Sequence, residues 1–160
     1  MKSKLFFVLL GVSILMGCRA TGRLYPVQGP LSAQTPTPVL LAKLTGAFNS
    51  GKISVALTDG EVCKGHWATV PRPQASKGAA ATATAPPSEM SPVWDTVYGS
   101  GFFVSHVLGK RLYVQTVLTG DRGTVLNVEM YKPDGNPQNT VSSIQGVAKD
   151  SKDNIYKLVF

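Results

Sequence analysis

Residues 52–67 read KISVALTDGEVCKGHW, and apolar and polar side chains alternate on both sides of a central turn signal. Such alternation is typical of a half-buried β-hairpin. A two-residue loop would place Val55 opposite Lys64, whereas a three-residue loop with Gly60 in the left-handed region places Val55 opposite Cys63. The second register separates apolar from polar residues, so we favour it.

The favoured register assigns each side chain of the hairpin to the buried or the exposed face. Cys63 and Trp67 lie on the buried face together with Ile53. Lys64 and His66 point to solvent. We therefore predict that the thiol belongs to the core and that the imidazole belongs to the surface.

The same alternation continues through the second half of the chain, where turn-forming residues separate the segments. The predicted later strands are residues 97–107, 112–118, 124–131, 141–149 and 155–160. Leu126, Val128 and Met130 share one face of their strand, and Tyr156, Leu158 and Phe160 point inward in the last. The pattern predicts an all-β fold, a single small antiparallel sandwich or barrel of about seven or eight strands over residues 39–160.

Two stretches lack this alternation. Residues 18–38 contain four prolines, and we predict a flexible tether there. Residues 71–92 include the low-complexity sequence GAAATATAPP and almost no bulky apolar side chain. We predict a disordered loop inserted in the single domain.

The N-terminus has the features of a secretory signal. Residues 1–4 are basic (MKSK), and residues 5–15 are apolar apart from Gly11 and Ser13. This apolar stretch is shorter than the ~20 residues that span a bilayer as a helix. It fits the apolar region of a signal peptide.

The sequence Leu15-Met16-Gly17-Cys18 resembles the lipobox of bacterial lipoproteins. The resemblance implies that a signal peptidase cuts between Gly17 and Cys18 and that Cys18 carries a diacylglyceryl thioether. Residues 1–17 are then the signal peptide, and the lipid binds the protein to a membrane. Arg19, rather than Asp, follows the cysteine, which by resemblance to Gram-negative lipoproteins favours the outer membrane.

Charge and cysteine content agree with an exported protein. The 160 residues carry 16 Lys and Arg and 9 Asp and Glu, a net charge of +7. Loss of Lys2 and Lys4 with the signal leaves 14 minus 9, or +5. No block of basic residues is present, so we do not expect nucleic acid as a partner. With Cys18 acylated, Cys63 stands alone and forms no internal disulfide.

Few residues carry reactive side chains. Cys63 and His66 have a spacing that metal ligands use, but zinc takes about four ligands and only His106 remains as a further soft donor. The favoured register also places Cys63 and His66 on opposite faces. We predict no catalytic residue, no cofactor and no metal site.

These observations lead to a functional expectation. We expect a lipid-anchored envelope protein whose domain is a non-catalytic binding or assembly module facing the periplasm or the cell surface. Its partners are envelope polymers or an outer-membrane protein complex. The alternative is an envelope hydrolase, directed at peptidoglycan or protein, that uses Cys63 or a histidine.

Overall fold

A computed structural model describes residues 18–47, 50–69, 89–107, 112–132 and 144–160. Its strands are β1 (Cys18–Gln28), β2 (Leu40–Ala47), β3 (Ser50–Ala56), β4 (Val62–Ala68), β5 (Leu112–Gly120), β6 (Val125–Tyr131), β7 (Gln145–Asp150) and β8 (Ile155–Val159). Each strand pairs antiparallel with the next, and β8 pairs with β1 to close a barrel. The predicted all-β fold of seven or eight antiparallel strands is confirmed, and of the two architectures it is the barrel.

Apolar side chains fill the interior of the barrel. They come from alternate positions of the strands, as the pleat requires. An eight-stranded barrel is just wide enough for side chains to fill it. The innermost residues include Leu24, Ala42, Ile53, Val55, Cys63, Leu118, Leu126, Val128, Met130, Tyr156 and Leu158.

Three hairpins share one loop type at the same end of the barrel, which we call the turn end. Their loops are residues 58–60, 121–123 and 151–153, each closed by a backbone hydrogen bond across the loop. The third loop residue has a positive φ in each: 83° at Gly60, 92° at Gly123 and 63° at Asp153. The three-residue loop predicted for the β3–β4 hairpin is confirmed, with Val55 opposite Cys63.

The first strand corrects the predicted tether. Residues 18–28 form β1, which pairs with both β2 and β8 and so closes the barrel. Gly22, Leu24 and Pro26 point inward, while the residues between them are exposed. Pro26 lies beside a shift in the β1–β8 register, an irregularity that accommodates a proline. The domain therefore includes residues 18–28, which the prediction of a domain over 39–160 had left out.

A second correction concerns residues 97–107, which were expected to form a strand. Helix α1 (Ser91–Tyr98) is followed by a π-helical turn at Phe103–Val107. Both pack on the outside of β6, β7 and β8. The contact between these two segments and the barrel is a second apolar cluster. It consists of Met90, Val93, Trp94, Phe103, Val107, Tyr131, Val147 and Ile155.

The insert that was predicted at residues 71–92 falls mostly outside the described residues, because residues 70–88 are not described. Its last part is ordered, since residues 89–90 form a turn and 91–92 begin α1. Within the described ranges, no helix is long and apolar enough to cross a bilayer.

Candidate functional site

A buried carboxylate organises the turn end. Glu61 is 1% exposed. Its Oε1 accepts hydrogen bonds from the backbone N–H groups of Arg122 (3.0 Å) and Thr124 (2.9 Å). Its Oε2 accepts the Thr124 hydroxyl and lies 3.5 Å from Lys152 Nζ. The Thr124 hydrogen bond is the main cause that lowers the pKa of Glu61. The side chain therefore joins the β3–β4 hairpin to the β5–β6 hairpin.

Exposed ion pairs surround this carboxylate. Asp59 lies 3.1 Å from Arg122 Nη2 and 3.0 Å from Lys152 Nζ. The backbone N–H of Glu61 also donates to Asp59 Oδ1, and this bond is the largest cause that lowers the pKa of Asp59. The hydrogen bond to Asp59 in turn raises the pKa of Lys152.

Asp150 performs a similar role in the last hairpin. Its carboxylate accepts the backbone N–H groups of Lys152 and Asn154, the Asn154 side-chain amide, and the Tyr156 hydroxyl at 2.6 Å. Burial and then Asp150 raise the pKa of Tyr156. Asn154 Oδ1 accepts the backbone N–H of Leu31 at 2.8 Å, which holds the β1–β2 loop.

A cavity of about 340 Å³ opens at this end, beside Pro30, Leu57, Asp59, Lys152 and Tyr156. The carboxylates, amides and hydroxyl at its wall bond to one another, as described above. Such a network stabilises loops, since buried polar groups need hydrogen-bond partners. We therefore assign the turn end a structural role.

The structure separates the residues of the hydrolase hypothesis. Cys63 is fully buried, and its Sγ is 3.9 Å from the Thr124 carbonyl oxygen. Burial raises the pKa of the Cys63 thiol to about 11, so the nucleophilic thiolate is scarce at neutral pH. His66 is exposed on the outer face of β4, across the barrel wall from the thiol. His106 stacks on Phe102 outside the barrel, with ring centroids 4.5 Å apart.

Metal-binding residue types are likewise dispersed. Among the residues that the structure describes, no three His, Cys, Asp or Glu side chains are close enough together to hold an ion. The acidic groups nearest to one another, at the turn end, have lysine, arginine and backbone N–H partners instead.

Strand β6 contains one more buried acid, which lies beneath α1. Glu129 is 1% exposed and accepts a 2.8 Å hydrogen bond from Trp94 Nε1 and a 3.2 Å bond from Gln115 Nε2. Its strand position faces outward, but α1 covers it. The bond orients α1 on the barrel, so we assign Glu129 a structural role.

The outer surface of β1 to β4 is strongly basic. These four strands contain five Lys and Arg residues and no Asp or Glu. Strands β5 to β8 contain two lysines, one Glu and one Asp, and so carry no net charge. The basic face, as we call it, consists of Arg19, Arg23, Lys43, Lys52, Lys64 and His66, all exposed.

Strand register brings these basic side chains together. Arg19 of β1 lies opposite Thr45 of β2, which is two residues from Lys43. Lys43 in turn lies opposite Ser54 of β3, which is two residues from Lys52. Lys64 also lies opposite Ser54. Arg19, Lys43, Lys52 and Lys64 therefore form a series in which consecutive residues are diagonal neighbours, ~7–8 Å apart between backbone positions.

Exposed apolar side chains form a second surface, which adjoins the basic face at Arg23. The described residues include seven exposed large hydrophobic side chains, and five of them lie on β1, β8 or the approach to and start of β2. Arg23 pairs with both Leu41 and Val159, which places these two on either side of β1. The apolar patch consists of Tyr25, Val27, Val39, Leu41 and Val159.

The predicted lipidation site lies at the barrel end opposite the turn end. Cys18 is the first residue of β1 and pairs with Gly46 of β2. Gly17, on the other side of the predicted cleavage, is outside the described residues. Cys18 is thus adjacent to Arg19, the first member of the basic face.

Sequence reasoning missed the basic face because its members are scattered between residues 19 and 66. A signal was nevertheless present. The first acidic residue of the chain is Asp59, whereas four of the five basic residues of this face precede it. Such charge asymmetry between parts of a chain indicates an interaction surface.

Comparison with known proteins adds no assignment. No family model, no curated protein and no solved structure matches this chain.

Proposed function

We propose that this chain is the precursor of a lipid-anchored cell-envelope protein whose barrel is a non-catalytic binding or assembly module facing the periplasm or the cell surface. One observation carries the proposal: Cys18 lies in β1, at the N-terminal limit of the described residues. A cut between Gly17 and Cys18 keeps the eight strands and the core residues that the structure describes in one chain. The residue that the lipobox resemblance marks for acylation would then be the first residue of the mature chain and part of the strand that closes the barrel.

The apolar patch supports a binding role. Its five exposed apolar side chains lie on or next to three neighbouring strands around Arg23, and clustered exposed apolar side chains mark an interaction site more often than isolated ones do. Its members are mainly aliphatic and offer few hydrogen bonds, so they suit a protein surface better than the hydroxyl groups of a polysaccharide. We therefore favour a protein complex of the outer membrane over an envelope polymer as the partner.

Processing tests the anchor. Cys18→Ala, or an inhibitor of lipoprotein signal peptidase, should cause the uncut precursor to accumulate in the producing cells. Mass spectrometry of the normal product should find a lipid on Cys18. A product that is cut normally in the Cys18→Ala variant, or a free thiol at that position, would refute the anchor.

Site-specific crosslinking tests the partner class. A photo-crosslinking amino acid at Leu41, which is 47% exposed in the apolar patch, should give a defined protein adduct in intact cells. The matched control is Val117 on β5, which is 56% exposed but lies outside the patch. Adducts of polysaccharide would instead support the envelope-polymer partner. Equal crosslinking from both positions would contradict a specific surface.

The position of Cys63 argues against the hydrolase alternative. A nucleophilic cysteine needs a low pKa, solvent access and a nearby base. In the described structure Cys63 is buried and its pKa is raised, and both histidines are exposed on the outside of the barrel. In an assay of peptidoglycan and protein hydrolysis, a Cys63→Ser, His66→Ala, His106→Ala triple variant should have the same activity as the wild type. Loss of that activity with the fold preserved would support the hydrolase.

A further inference from the structure

Within the described ranges, no carboxylate forms an ion pair with the basic face. Among the described residues, the ion pairs join Asp59 and Glu61 to Arg122 and Lys152 at the turn end. The four strands that carry the basic face contain no carboxylate. Like charges at diagonal positions repel each other unless anions lie between them.

The spacing of these charges makes them act together. Arg19, Lys43, Lys52 and Lys64 follow one another as diagonal neighbours from β1 to β4. Each step is ~7–8 Å, within the Debye length of ~8 Å at physiological salt. Three strand spacings of ~4.8 Å make the face roughly 14 Å wide. A flat surface with many anions matches this shape better than a single small ion does.

The position of Cys18 indicates that the anionic surface facing the basic face is a membrane. Cys18 directly precedes Arg19, and its cross-strand partner Gly46 is three residues from Lys43. A lipid on Cys18 would therefore hold this edge of the basic face at the membrane. A single acyl signal and a basic patch commonly act together in this way.

We propose that the basic face of β1 to β4 lies against the anionic headgroups of the membrane that holds the lipid. The ligand chemistry is the phosphate of a lipid headgroup, and each Lys or Arg near such a surface strengthens binding. The choice of a membrane as partner rests on the proposed anchor, whereas the affinity of the face for anionic lipid does not. An experiment can therefore refute the lipid anchor without refuting the affinity for anionic lipid, and the reverse also holds.

The test uses a chain of residues 18–160 with Cys18→Ser, which contains every strand of the barrel but no acyl chain. Its binding is measured by co-sedimentation with phosphatidylcholine vesicles, with and without phosphatidylglycerol. We expect binding only where phosphatidylglycerol is present, and release at about 1 M salt, where the Debye length falls to ~3 Å. Processing of the full chain is not involved, so failure of the anchor leaves this result unchanged.

Two variants with the same change in net charge locate the binding surface. Lys43→Gln with Lys64→Gln removes two charges from the basic face and should weaken vesicle binding about thirtyfold. Lys149→Gln with Lys157→Gln removes two charges from β7 and β8 and should change it less than about twofold. Circular dichroism confirms that both variants keep the fold.

Three results would overturn the proposal. One is equal binding to vesicles with and without phosphatidylglycerol, and another is an equal loss in the two double variants. The third is a protein that does not bind vesicles but is retained on a polyanionic resin through Lys43 and Lys64. That result would assign the basic face to a soluble anionic polymer.

Discussion

A single carboxylate connects two hairpins at the residue scale. Glu61 is the first residue after its own loop, but three of its four partner groups belong to residues 122 and 124 of the neighbouring hairpin. Gly120 leaves space for it, because a Cβ on that glycine would collide with Glu61 Oε1. Loop 121–123, Gly120 and Glu61 therefore depend on one another.

Stability should depend on pH through this cluster. The pKa values of Asp59 and Glu61 are lowered in the folded state, so both carboxylates contribute stability above their ordinary values of 3.8 and 4.5. That contribution is lost as the pH falls through the lowered values. We expect the urea midpoint to fall between about pH 5 and pH 2, and Glu61→Gln to show a shallower fall.

The Glu61→Gln variant also provides the control. Glutamine keeps the size of the side chain and one acceptor oxygen but does not titrate. The urea midpoints of the variant and the wild type should converge as the pH falls through the lowered pKa of Glu61. Parallel curves over the whole range would show that Glu61 does not contribute to the acid dependence.

Gly120→Ala should destabilise the barrel by about 1–3 kcal/mol, the usual cost of forcing an extra carbon into a packed site. The added carbon collides with Glu61 Oε1. Combination with Glu61→Asp, which shortens the side chain, should restore part of the loss. Denaturant unfolding of the single and double variants measures this coupling. Strict additivity would mean that the two residues do not compete for space.

Burial of individual residues was predictable only where the periodicity of one strand determines it. Alternation alone assigned Cys63 to the core and His66 to the surface, and the structure agrees. The burial of Glu61 and Glu129 was not predictable in this way. Each is covered by a distant segment, loop 121–124 in one case and α1 in the other.

At the scale of elements, the hairpins were predictable and the helix was not. Turn residues such as Gly60 and Gly123 act locally, so the sequence near each loop carries the information. Residues 91–107 contain many β-branched and aromatic residues, which favours a strand prediction. Their helical form depends on an apolar outer surface of β6 to β8 that only the assembled sheet provides.

Trp94 should be the residue on which the attachment of α1 depends most. It is fully buried and donates to Glu129. Trp94→Ala should destabilise the protein by about 3–5 kcal/mol, as removal of large aromatic side chains usually does. The control is Thr96→Ala on the exposed side of the same helix, where about 1 kcal/mol or less is expected. Equilibrium unfolding compares the two, and similar losses would contradict the assigned packing.

At the scale of the whole molecule, β1 determines whether the sheet is a closed barrel. Without this strand, β2 and β8 would have unpaired edges. The class of fold was predictable from alternation, but closure was not. Prolines and glycines in residues 18–38 indicate a tether. The inward positions of Leu24 and Pro26 become evident only once their partners in β2 and β8 are known.

Leu24 provides the test of closure. It is fully buried in β1, so Leu24→Ala should cost about 2–5 kcal/mol of unfolding free energy. Val27, also in β1, is 41% exposed, and Val27→Ala should cost less than about 1 kcal/mol. Urea denaturation measures both. A loss below 1 kcal/mol for Leu24→Ala would indicate that residues 18–28 behave as a tether after all.

Because Cys18 lies within β1, the acyl group that we propose for it would have no spacer between it and the domain. Eleven tilted residues at ~3.3 Å each carry the chain only about 25–30 Å along the barrel axis. An acylated protein of this build has a short reach, so it meets whatever is already at the bilayer. Molecules embedded farther out in the envelope would have to approach it.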